Sequence, residues 1–271
     1  MCFNPYGNKM DLTIIKIGGS VVTCKESDSP KINSKNLEAV AKQLKNFKKP
    51  YILIHGAGSF GHPLVKRTGI DKGIKSKDQL IAFAETQKLQ NQLNYMVCDA
   101  LIKEGIPAVP CQPSSHAVLK KGRLASLSIE AMKGMVGLGL IPVCYGVPAY
   151  DKVQGSAILS GDQIAPYLAL KLRAKKIIEA GDVEGIYTCD PKTDSSAEIV
   201  REINRKNFKE IEGYLSGSRA TDVTGGMRQK YLEIVQTARK GIITQIVHFE
   251  RLAEALEGQK AGTTIDLKAK K

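Results

Sequence analysis

The chain lacks several features that would place it in particular classes of protein. It has no tryptophan and only 6% aromatic residues, and no apolar run approaches the ~18 residues of a membrane-spanning helix. The N-terminus, MCFNPYGNKM, has no apolar segment of the kind that a secretory signal peptide contains. We therefore expect no membrane association, a cytoplasmic location, and a loose N-terminal extension over residues 1–10.

The six cysteines are scattered along the chain and form no C-x-x-C pair. No cysteines and histidines stand at the spacing of a zinc site, and several of the cysteines lie in apolar segments. This distribution is typical of reduced, buried thiols in a cytoplasmic protein. We therefore expect neither a disulfide framework nor a metal centre built from side chains.

What is present is an ordinary globular composition with an excess of positive charge. The 271 residues are 42% hydrophobic and 25% charged, and the formal net charge is +13. Such a charge favours anionic ligands such as nucleotides and phosphates. The lysines and arginines are dispersed and no RNA- or DNA-binding motif appears, so we do not expect nucleic acid as a partner. Alternating strand and helix patterns indicate an α/β fold with a mostly parallel sheet.

The most informative segment is Tyr51–Pro63, YILIHGAGSFGHP. A run of β-forming residues leads into a glycine-rich turn with a histidine on each side, His55 and His62. Glycines let peptide N–H groups converge on an anion at short range, and a nearby imidazole can add a donor or a positive charge. The segment therefore predicts a phosphate site, although a tight turn without a ligand is the alternative for an isolated match.

The same turn contains the G-x-G-x-x-G pattern of dinucleotide-binding folds. That fingerprint requires a helix directly after the third glycine and then a strand that ends in an acid. Here Pro63 follows almost at once, and the next helical pattern is the long one over Lys77–Lys103. No strand ends in an acid at the required distance. We therefore predict a phosphate site without a dinucleotide-binding fold.

A second glycine turn, Gly18-Gly19-Ser20, follows the first predicted strand, LTIIKI. Lys16 lies inside this otherwise apolar strand, where a lysine is costly unless it is paired or faces an anion. The alternative is an edge strand, from which the lysine would reach solvent. The adjoining glycines favour phosphate contact. Lys25, in the following loop, is a second candidate cation, with a solvated loop charge as its alternative.

Three further segments carry candidate residues. LSGDQ opens a predicted helix, and its Asp162 would lie at or near the N-cap, where a plain helix cap is the alternative to a catalytic role. AGDVEGIYTCDP follows the strand Lys176–Glu179, at the carboxyl end where open α/β sheets bind ligands. In DVTGGMRQK, two glycines precede a helix N-terminus that suits an anion, and Lys230 lies one turn inside that helix.

The ordered motifs KIGGS, HGAGSFGH, SGD, GDVEGIY, TGGMRQK and AGTTI resemble those of the amino acid kinase superfamily over about residues 13–265. Within it, HGAGSFGHP with its second histidine, His62, is most similar to the isopentenyl phosphate kinases. Fosfomycin and phosphonate kinases are near relatives of these enzymes. The resemblance implies a three-layer α/β/α sandwich around a mostly parallel central sheet.

The resemblance also implies one kinase domain over residues 11–266. Residues 11–173 would form an acceptor-binding and dimerisation lobe, and residues 174–266 a nucleotide-binding lobe. Residues 267–271 would form a basic tail. The expected assembly is a homodimer.

The activity that the resemblance implies is ATP-dependent phosphorylation of isopentenyl phosphate to isopentenyl diphosphate, with Mg²⁺ held mainly by the ATP phosphates and water. The catalytic residues would be Lys16, Lys25, His62 and Asp162, with Asp162 orienting the lysines. The residues that hold ATP would be Lys16, Gly18, Gly19, Ser20, Gly58, Asp182, Gly185, Tyr187, Gly226 and Lys230. Those that belong to the glycine turns would contact the ATP phosphates through their backbone. The residues that hold the acceptor would be Ala57, Gly61, His62 and Gly161.

An isoprenoid tail needs an apolar pocket, which we expect along the helix around Ile81, Phe83 and Ala84. Two alternatives stay open. One is a related kinase that acts on a phosphonate such as fosfomycin, whose pocket would be polar. The other is a non-enzymatic protein of the same fold that binds oxyanions or nucleotides. The presence of three candidate lysines with Asp162 favours an enzyme, because a binding protein has no need of cations that stabilise a transition state.

Overall fold

A computed structural model of the chain describes residues 11–24, 27, 29–189, 191, 194–216 and 226–268. Four features predicted from the sequence lie outside the described residues. They are the extension over residues 1–10, the candidate cation Lys25, the first part of the last glycine turn (Thr224 and Gly225), and residues 269–271 of the tail.

The described chain is built around one large sheet. Its strands are β1 (Thr13–Ile17), β2 (Tyr51–His55), β3 (Ala108–Pro110), β6 (Ile141–Tyr145), β9 (Lys176–Gly181), β10 (Glu202–Ile203), β11 (Ile243–His248) and β12 (Thr263–Ile265). They lie in the order β10-β12-β11-β9-β1-β2-β6-β3. Within this described sheet, all neighbours pair in parallel except β11 and β12. The predicted mostly parallel sheet is confirmed.

A smaller, four-stranded sheet is formed by strands that lie between β3 and β9 in the chain. Its strands are β4 (Ala117–Lys120), β5 (Arg123–Leu127), β7 (Val147–Asp151) and β8 (Gly155–Leu159), in the order β5-β4-β7-β8. A tight turn at Lys121 and Gly122 joins β4 to β5. These two residues have φ angles of 51° and 75°, the left-handed geometry that matches the twist of a tight hairpin.

The helices connect these strands. They are α1 (Gly19–Val22), α2 (Ser34–Lys45), α3 (His62–Thr68), α4 (Lys77–Lys103), α5 (Glu130–Gly137), α6 (Gly161–Leu172), α7 (Phe208–Ser216), α8 (Gly226–Arg239) and α9 (Leu252–Leu256). The predicted bounds of α4 are confirmed, and its first turn is capped by Ser76, whose hydroxyl accepts a hydrogen bond from the Gln79 N–H at 3.3 Å.

Two hydrophobic cores lie on opposite faces of the large sheet, which confirms the three-layer architecture. Ile15 and Ile17 of β1 share one core with residues of α2, α4 and α9, and Ile14 shares the other with residues of α5 and α6. Successive side chains of a strand point to opposite faces. Lys16 therefore lies on the same face as Ile14, towards α6.

One expectation about the first glycine turn was wrong. A helix, α3, does begin directly after Gly61, and Pro63 lies in its first turn. Proline is tolerated there because the first N–H groups of a helix have no intrahelical partner. The next strand of the sheet, Ala108–Pro110, follows only after the long α4 and does not end in an acid. The prediction that the turn does not belong to a dinucleotide-binding unit therefore stands on that second ground.

The helices, the cysteines and the C-terminal segment bear on three smaller expectations. None of the described helices is long and apolar enough to cross a membrane; the cytoplasmic location stays a prediction. The five described cysteines are free, and Cys98 and Cys144 are buried. Leu267, which we assigned to the basic tail, is instead buried in a core cluster with Ile265 and Ile203.

Candidate active site

Both predicted phosphate turns lie side by side at the carboxyl ends of the parallel neighbours β1 and β2. They contact each other through their main chains: a Cβ atom added to Gly19 would lie 2.6 Å from the Gly58 nitrogen, and one added to Gly56 would lie 2.4 Å from the Gly19 nitrogen. No side chain fits between backbones at this separation, so these positions require glycine. The two turns form one continuous surface.

Thr23 ties the two turns together. Its hydroxyl donates to the Gly19 carbonyl at 2.8 Å and accepts from the Ser59 N–H at 3.0 Å. Beside it, Gly58 has a φ angle of +51°, in the left-handed region that favours glycine. A threonine after a short helix gives no recognisable signal in the sequence, and sequence reasoning missed this residue.

Lys16 is buried at the centre of the large sheet. β1 lies between β9 and β2, so the alternative of an edge strand is wrong. The lysine is 6% exposed and forms an ion pair with Asp162, while its Nζ lies 3.6 Å from Glu179 Oε2. Burial alone would lower the pKa of Lys16, but the charges of Asp162 and Glu179 outweigh it and hold the pKa above its ordinary value. Lys16 is therefore a fixed cation.

Asp162 is a partner of Lys16 and not a helix cap. The N-cap of α6 is Ser160, and Asp162 lies in the first turn with its carboxylate on the Lys16 ammonium. Burial would raise the pKa of Asp162, but the charges of Lys16 and Lys230 pull it below its usual value. The carboxylate is therefore ionised and is placed to orient Lys16.

Glu179, a residue that sequence reasoning did not single out, completes this group. It lies on β9 opposite Lys16 of β1, and its Oε2 is 3.4 Å from Lys230 Nζ. The sequence did contain a signal for Glu179, because this residue, like Lys16, is a charged residue inside an otherwise apolar strand. Residues predicted separately, Lys16, Asp162 and Lys230, are thus brought together around an acid that was missed.

The two histidines beside the first turn have different environments. His55 is fully buried, with Nδ1 3.0 Å from the Gly56 carbonyl oxygen and Nε2 3.2 Å from Asn94 Oδ1, and it stacks on Tyr145. Burial lowers the pKa of His55 to about 4, so the ring is neutral and acts in packing. His62, at the start of α3, lines a cavity instead.

That cavity, which we call the acceptor cavity, brings residues of the first glycine turn together with an apolar wall. Its space is about 290 Å³, including the open mouth, and its lining comprises Ala57, Gly61, His62, Val65, Thr86, Gln90, Gly146, Val147, Pro148 and Ile158. The first three are the residues that we predicted to hold an acceptor phosphate. The valines, the proline and the isoleucine give the remainder an apolar character.

The expectation that Ile81, Phe83 and Ala84 line this cavity was wrong, although α4 does line it. Ile81 is 62% exposed, and α4 lines the cavity with Thr86 and Gln90. The buried side of α4 carries a polar row beside its apolar residues: Thr86, Gln90 and Asn94 repeat at helical spacing and are all buried. The prediction relied on the apolar residues of the helix, and such a pattern cannot identify buried positions that are polar.

The chain is similar to proteins of known family and structure. A sequence model of the amino acid kinase family matches residues 11–248 of the chain. The chain belongs to the amino acid kinase family. Isopentenyl phosphate kinase from Methanothermobacter thermautotrophicus is 37% identical over 244 residues, covering 88% of this chain and 91% of that protein. Isopentenyl phosphate kinase from Methanocaldococcus jannaschii is 36% identical over 266 residues, covering 94% and 98%.

Solved structures show the same relationship for this amino acid kinase. An isopentenyl phosphate kinase structure superposes with a TM-score of 0.82 at 33% identity, covering 94% of this chain and all of that one (100%). The Thermoplasma acidophilum isopentenyl phosphate kinase product complex superposes with a TM-score of 0.78 at 23% identity, covering 94% and 99%. The second match supports the fold.

The remaining candidate nucleotide residues of this kinase lie in the segment after β9 and at the start of α8. Asp182 is exposed just beyond β9, and Gly185 packs so closely on Thr263 that an added Cβ would lie 2.4 Å from its Oγ1. Tyr187 forms an isolated bridge with Ile199, and Gly226 begins α8. Their roles in holding ATP stay predictions.

Gly18 and Gly161 make contacts that bear on their predicted roles. The Gly18 N–H donates to the Ala180 carbonyl at 2.8 Å, so it is not available to a phosphate, contrary to the expected backbone contact. This hydrogen bond continues the pairing of β1 with β9 by one residue beyond β1. Gly161 lies against Lys16, with an added Cβ 3.2 Å from Lys16 Cε. Its predicted contact with the acceptor, and that of Ser20 with ATP, stay predictions.

Proposed function

We propose that this chain transfers the γ-phosphoryl group of ATP to isopentenyl phosphate and so forms isopentenyl diphosphate. The observation that carries the proposal is the acceptor cavity, in which Ala57, Gly61 and His62 meet an apolar wall. Relatives that cover most of the chain at 36–37% identity are isopentenyl phosphate kinases. An acceptor with one phosphate and a short branched apolar tail would match the distribution of polar and apolar residues in this cavity.

In the proposed reaction, a terminal oxygen of the acceptor phosphate attacks the γ-phosphorus in line. The attacking oxygen already carries negative charge, so no general base is needed, and catalysis depends on positioning and charge neutralisation. Lys16 is the buried cation at the carboxyl end of the central strand, between the glycine turns and α6. Asp162 would hold its ammonium in place and would not accept a proton from the acceptor.

The nucleotide would lie on the side of β9 and α8, where Lys230 faces the same cluster. This arrangement supports the proposed division into an acceptor lobe over residues 11–173 and a nucleotide lobe over residues 174–266. Among the described residues, no three His, Cys, Asp or Glu side chains converge as a metal site. We propose that Mg²⁺ is held mainly by the ATP phosphates and water, where it would neutralise phosphate charge.

At the acceptor end, His62 would donate a hydrogen bond to the acceptor phosphate, and the apolar wall would bury the five-carbon tail. Burial at ~0.8 kcal/mol per CH₂ would supply roughly 3–4 kcal/mol of selectivity over bare phosphate. Of the polar residues of the wall, Thr86 donates its hydroxyl to the Ala82 carbonyl at 2.7 Å, and Gln90 donates its amide to the Ala57 carbonyl at 3.3 Å, while Gln90 Oε1 is buried without a hydrogen-bond partner. The valines, the proline and the isoleucine of the wall favour an apolar tail over a polar phosphonate.

A turnover assay with purified protein and ATP tests the proposal. Isopentenyl phosphate, fosfomycin and uridine monophosphate are compared at matched concentrations, with formation of ADP and of the phosphorylated product measured together. We expect the highest kcat/KM for isopentenyl phosphate. More efficient turnover of fosfomycin or the nucleotide would replace the proposed acceptor, and binding of ATP without any turnover would indicate a non-enzymatic protein.

We also propose a homodimer joined through α4. The outer face of this helix carries apolar side chains that are largely exposed in the single chain: Ile81, Tyr95 and Ile102 are 62%, 70% and 55% exposed. Exposed apolar residues clustered along one element are typical of an interface between proteins. The acceptor cavity lies on the opposite face of the same helix.

A further inference from the structure

Glu179 occupies a position where a carboxylate is unfavourable. It lies in the middle of β9, paired in register with Lys16 of β1 and with Ile246 of β11, and it is 3% exposed. Buried carboxylates destabilise a fold unless cations and hydrogen bonds compensate. An apolar residue would suit the strand better, so the acid calls for an explanation beyond folding.

The compensation comes from two lysines of different elements. Glu179 Oε2 lies 3.6 Å from Lys16 Nζ and 3.4 Å from Lys230 Nζ. Both separations exceed the 2.7–3.2 Å of a good hydrogen bond, and Oε2 has no hydrogen-bond partner. Through Oε2 the carboxylate therefore interacts with the lysines by charge and takes up none of their N–H groups, one of which Lys16 donates to Asp162.

The charges around this point form a balanced group. Among the described residues, Lys16 comes from β1, Lys230 from α8 and Glu179 from β9, and Asp162 from α6 pairs with Lys16. Without Glu179, the two ammonium groups would have Asp162 as their one acidic neighbour among the described residues. Mutual repulsion would then separate them or remove a proton.

We propose that Glu179 is a positioning residue, which holds the ammonium groups of Lys16 and Lys230 together where the transferred phosphoryl group passes. The inference deepens the proposed phosphotransfer and rests on it. Glu179 touches neither substrate; it acts through the two lysines, one from each proposed lobe.

A distinctive consequence follows for ATP. The negative charge of Glu179 opposes binding of a polyanion, but it keeps the lysines charged and correctly placed for transfer. Removal of that charge should therefore slow turnover without weakening ATP binding. A residue that only stabilised the fold would not separate these two quantities.

The test compares Glu179→Gln and Glu179→Asp with the wild type. We expect Glu179→Gln to lower kcat at least tenfold while ATP affinity, measured by calorimetry without acceptor, is unchanged or higher. Its rate should also decline with rising pH earlier than that of the wild type, because the pKa of Lys16 moves back towards the ordinary value of about 10.4. Glu179→Asp, which restores the charge, should recover the wild-type pH profile and part of kcat.

Glu104→Gln is the matched control, because Glu104 pairs with Lys45 at 3.0 Å far from the cluster and its loss should leave both quantities unchanged. A kcat for Glu179→Gln within twofold of the wild type would overturn the proposal. So would a parallel loss of ATP affinity and melting temperature, or a pH profile unaffected in both variants. Failure of the wild type to use isopentenyl phosphate would instead contradict the proposed acceptor, and the ATP measurements would still test the effect of Glu179 on the nucleotide site.

Discussion

His62 is the residue whose replacement tests the acceptor cavity most directly. His62→Ala should lower kcat/KM for isopentenyl phosphate at least tenfold, because a charge-assisted hydrogen bond to phosphate is worth about 1.5–3 kcal/mol. Steady-state kinetics measures the effect, and circular dichroism checks that the fold survives. His116→Ala serves as the control, since His116 is exposed and does not line the cavity. Near-normal efficiency of the His62 variant would remove this residue from the site.

His55 should make the stability of the protein depend on pH. The folded state keeps the ring neutral, with its pKa lowered to about 4, whereas the unfolded chain takes up a proton below about pH 6.5. Between these values the unfolded state binds more protons, so stability rises with pH across that window. The loss between neutral pH and about pH 4 amounts to about 3 kcal/mol.

Urea unfolding of wild type and His55→Gln at several pH values between neutrality and about 4 measures this slope. The variant should be less stable at neutral pH but should lose less stability on acidification. His116→Gln, at an exposed position, should retain the wild-type slope. An equal slope in all three proteins would show that His55 does not carry the effect.

At the scale of elements, the contact between the two glycine turns permits a sharp comparison. Gly19→Ala should destabilise the protein by several kcal/mol or abolish ATP binding, because the added Cβ would meet the Gly58 backbone at 2.6 Å. Gly134→Ala, on α5 with open space around it, should stabilise by about 0.5–1 kcal/mol. Melting temperatures measure the change in stability of each variant, and calorimetry with ATP measures the change in ATP affinity. A Gly19 variant as stable and as tightly binding as the wild type would contradict the description of the turns.

The element scale also shows what the sequence could and could not reveal. Apolar residues at helical spacing located α4 correctly, because the periodicity of a helix is contained in its local sequence. The same pattern could not tell which face of α4 lines the cavity, because Thr86, Gln90 and Asn94 face inward as polar residues with main-chain and side-chain partners. Glu179 and Thr23 act through contacts between distant segments, which no local pattern contains.

At the scale of the whole molecule, we predict a dimer. Light scattering at micromolar concentration should give twice the chain mass of 29.5 kDa, and Tyr95→Glu on α4 should shift the mass towards the monomer. Leu138→Glu changes a residue that is 77% exposed outside α4 and should leave the mass unchanged. A monomeric wild type, or dissociation caused equally by both variants, would refute an interface through α4.

The main-chain contact between the turns at Gly18–Ser20 and Gly56–Gly61 restricts how this enzyme can diversify. The interval between the two proposed phosphate positions is set by the packing of main chain against main chain and cannot be adjusted by exchanging side chains. New acceptors can therefore arise through substitutions in α3, α4, β7 or β8, which shape the tail end of the cavity. An insertion in either turn would require a compensating change in the other, so the transfer distance should be inherited unchanged while the choice of acceptor varies.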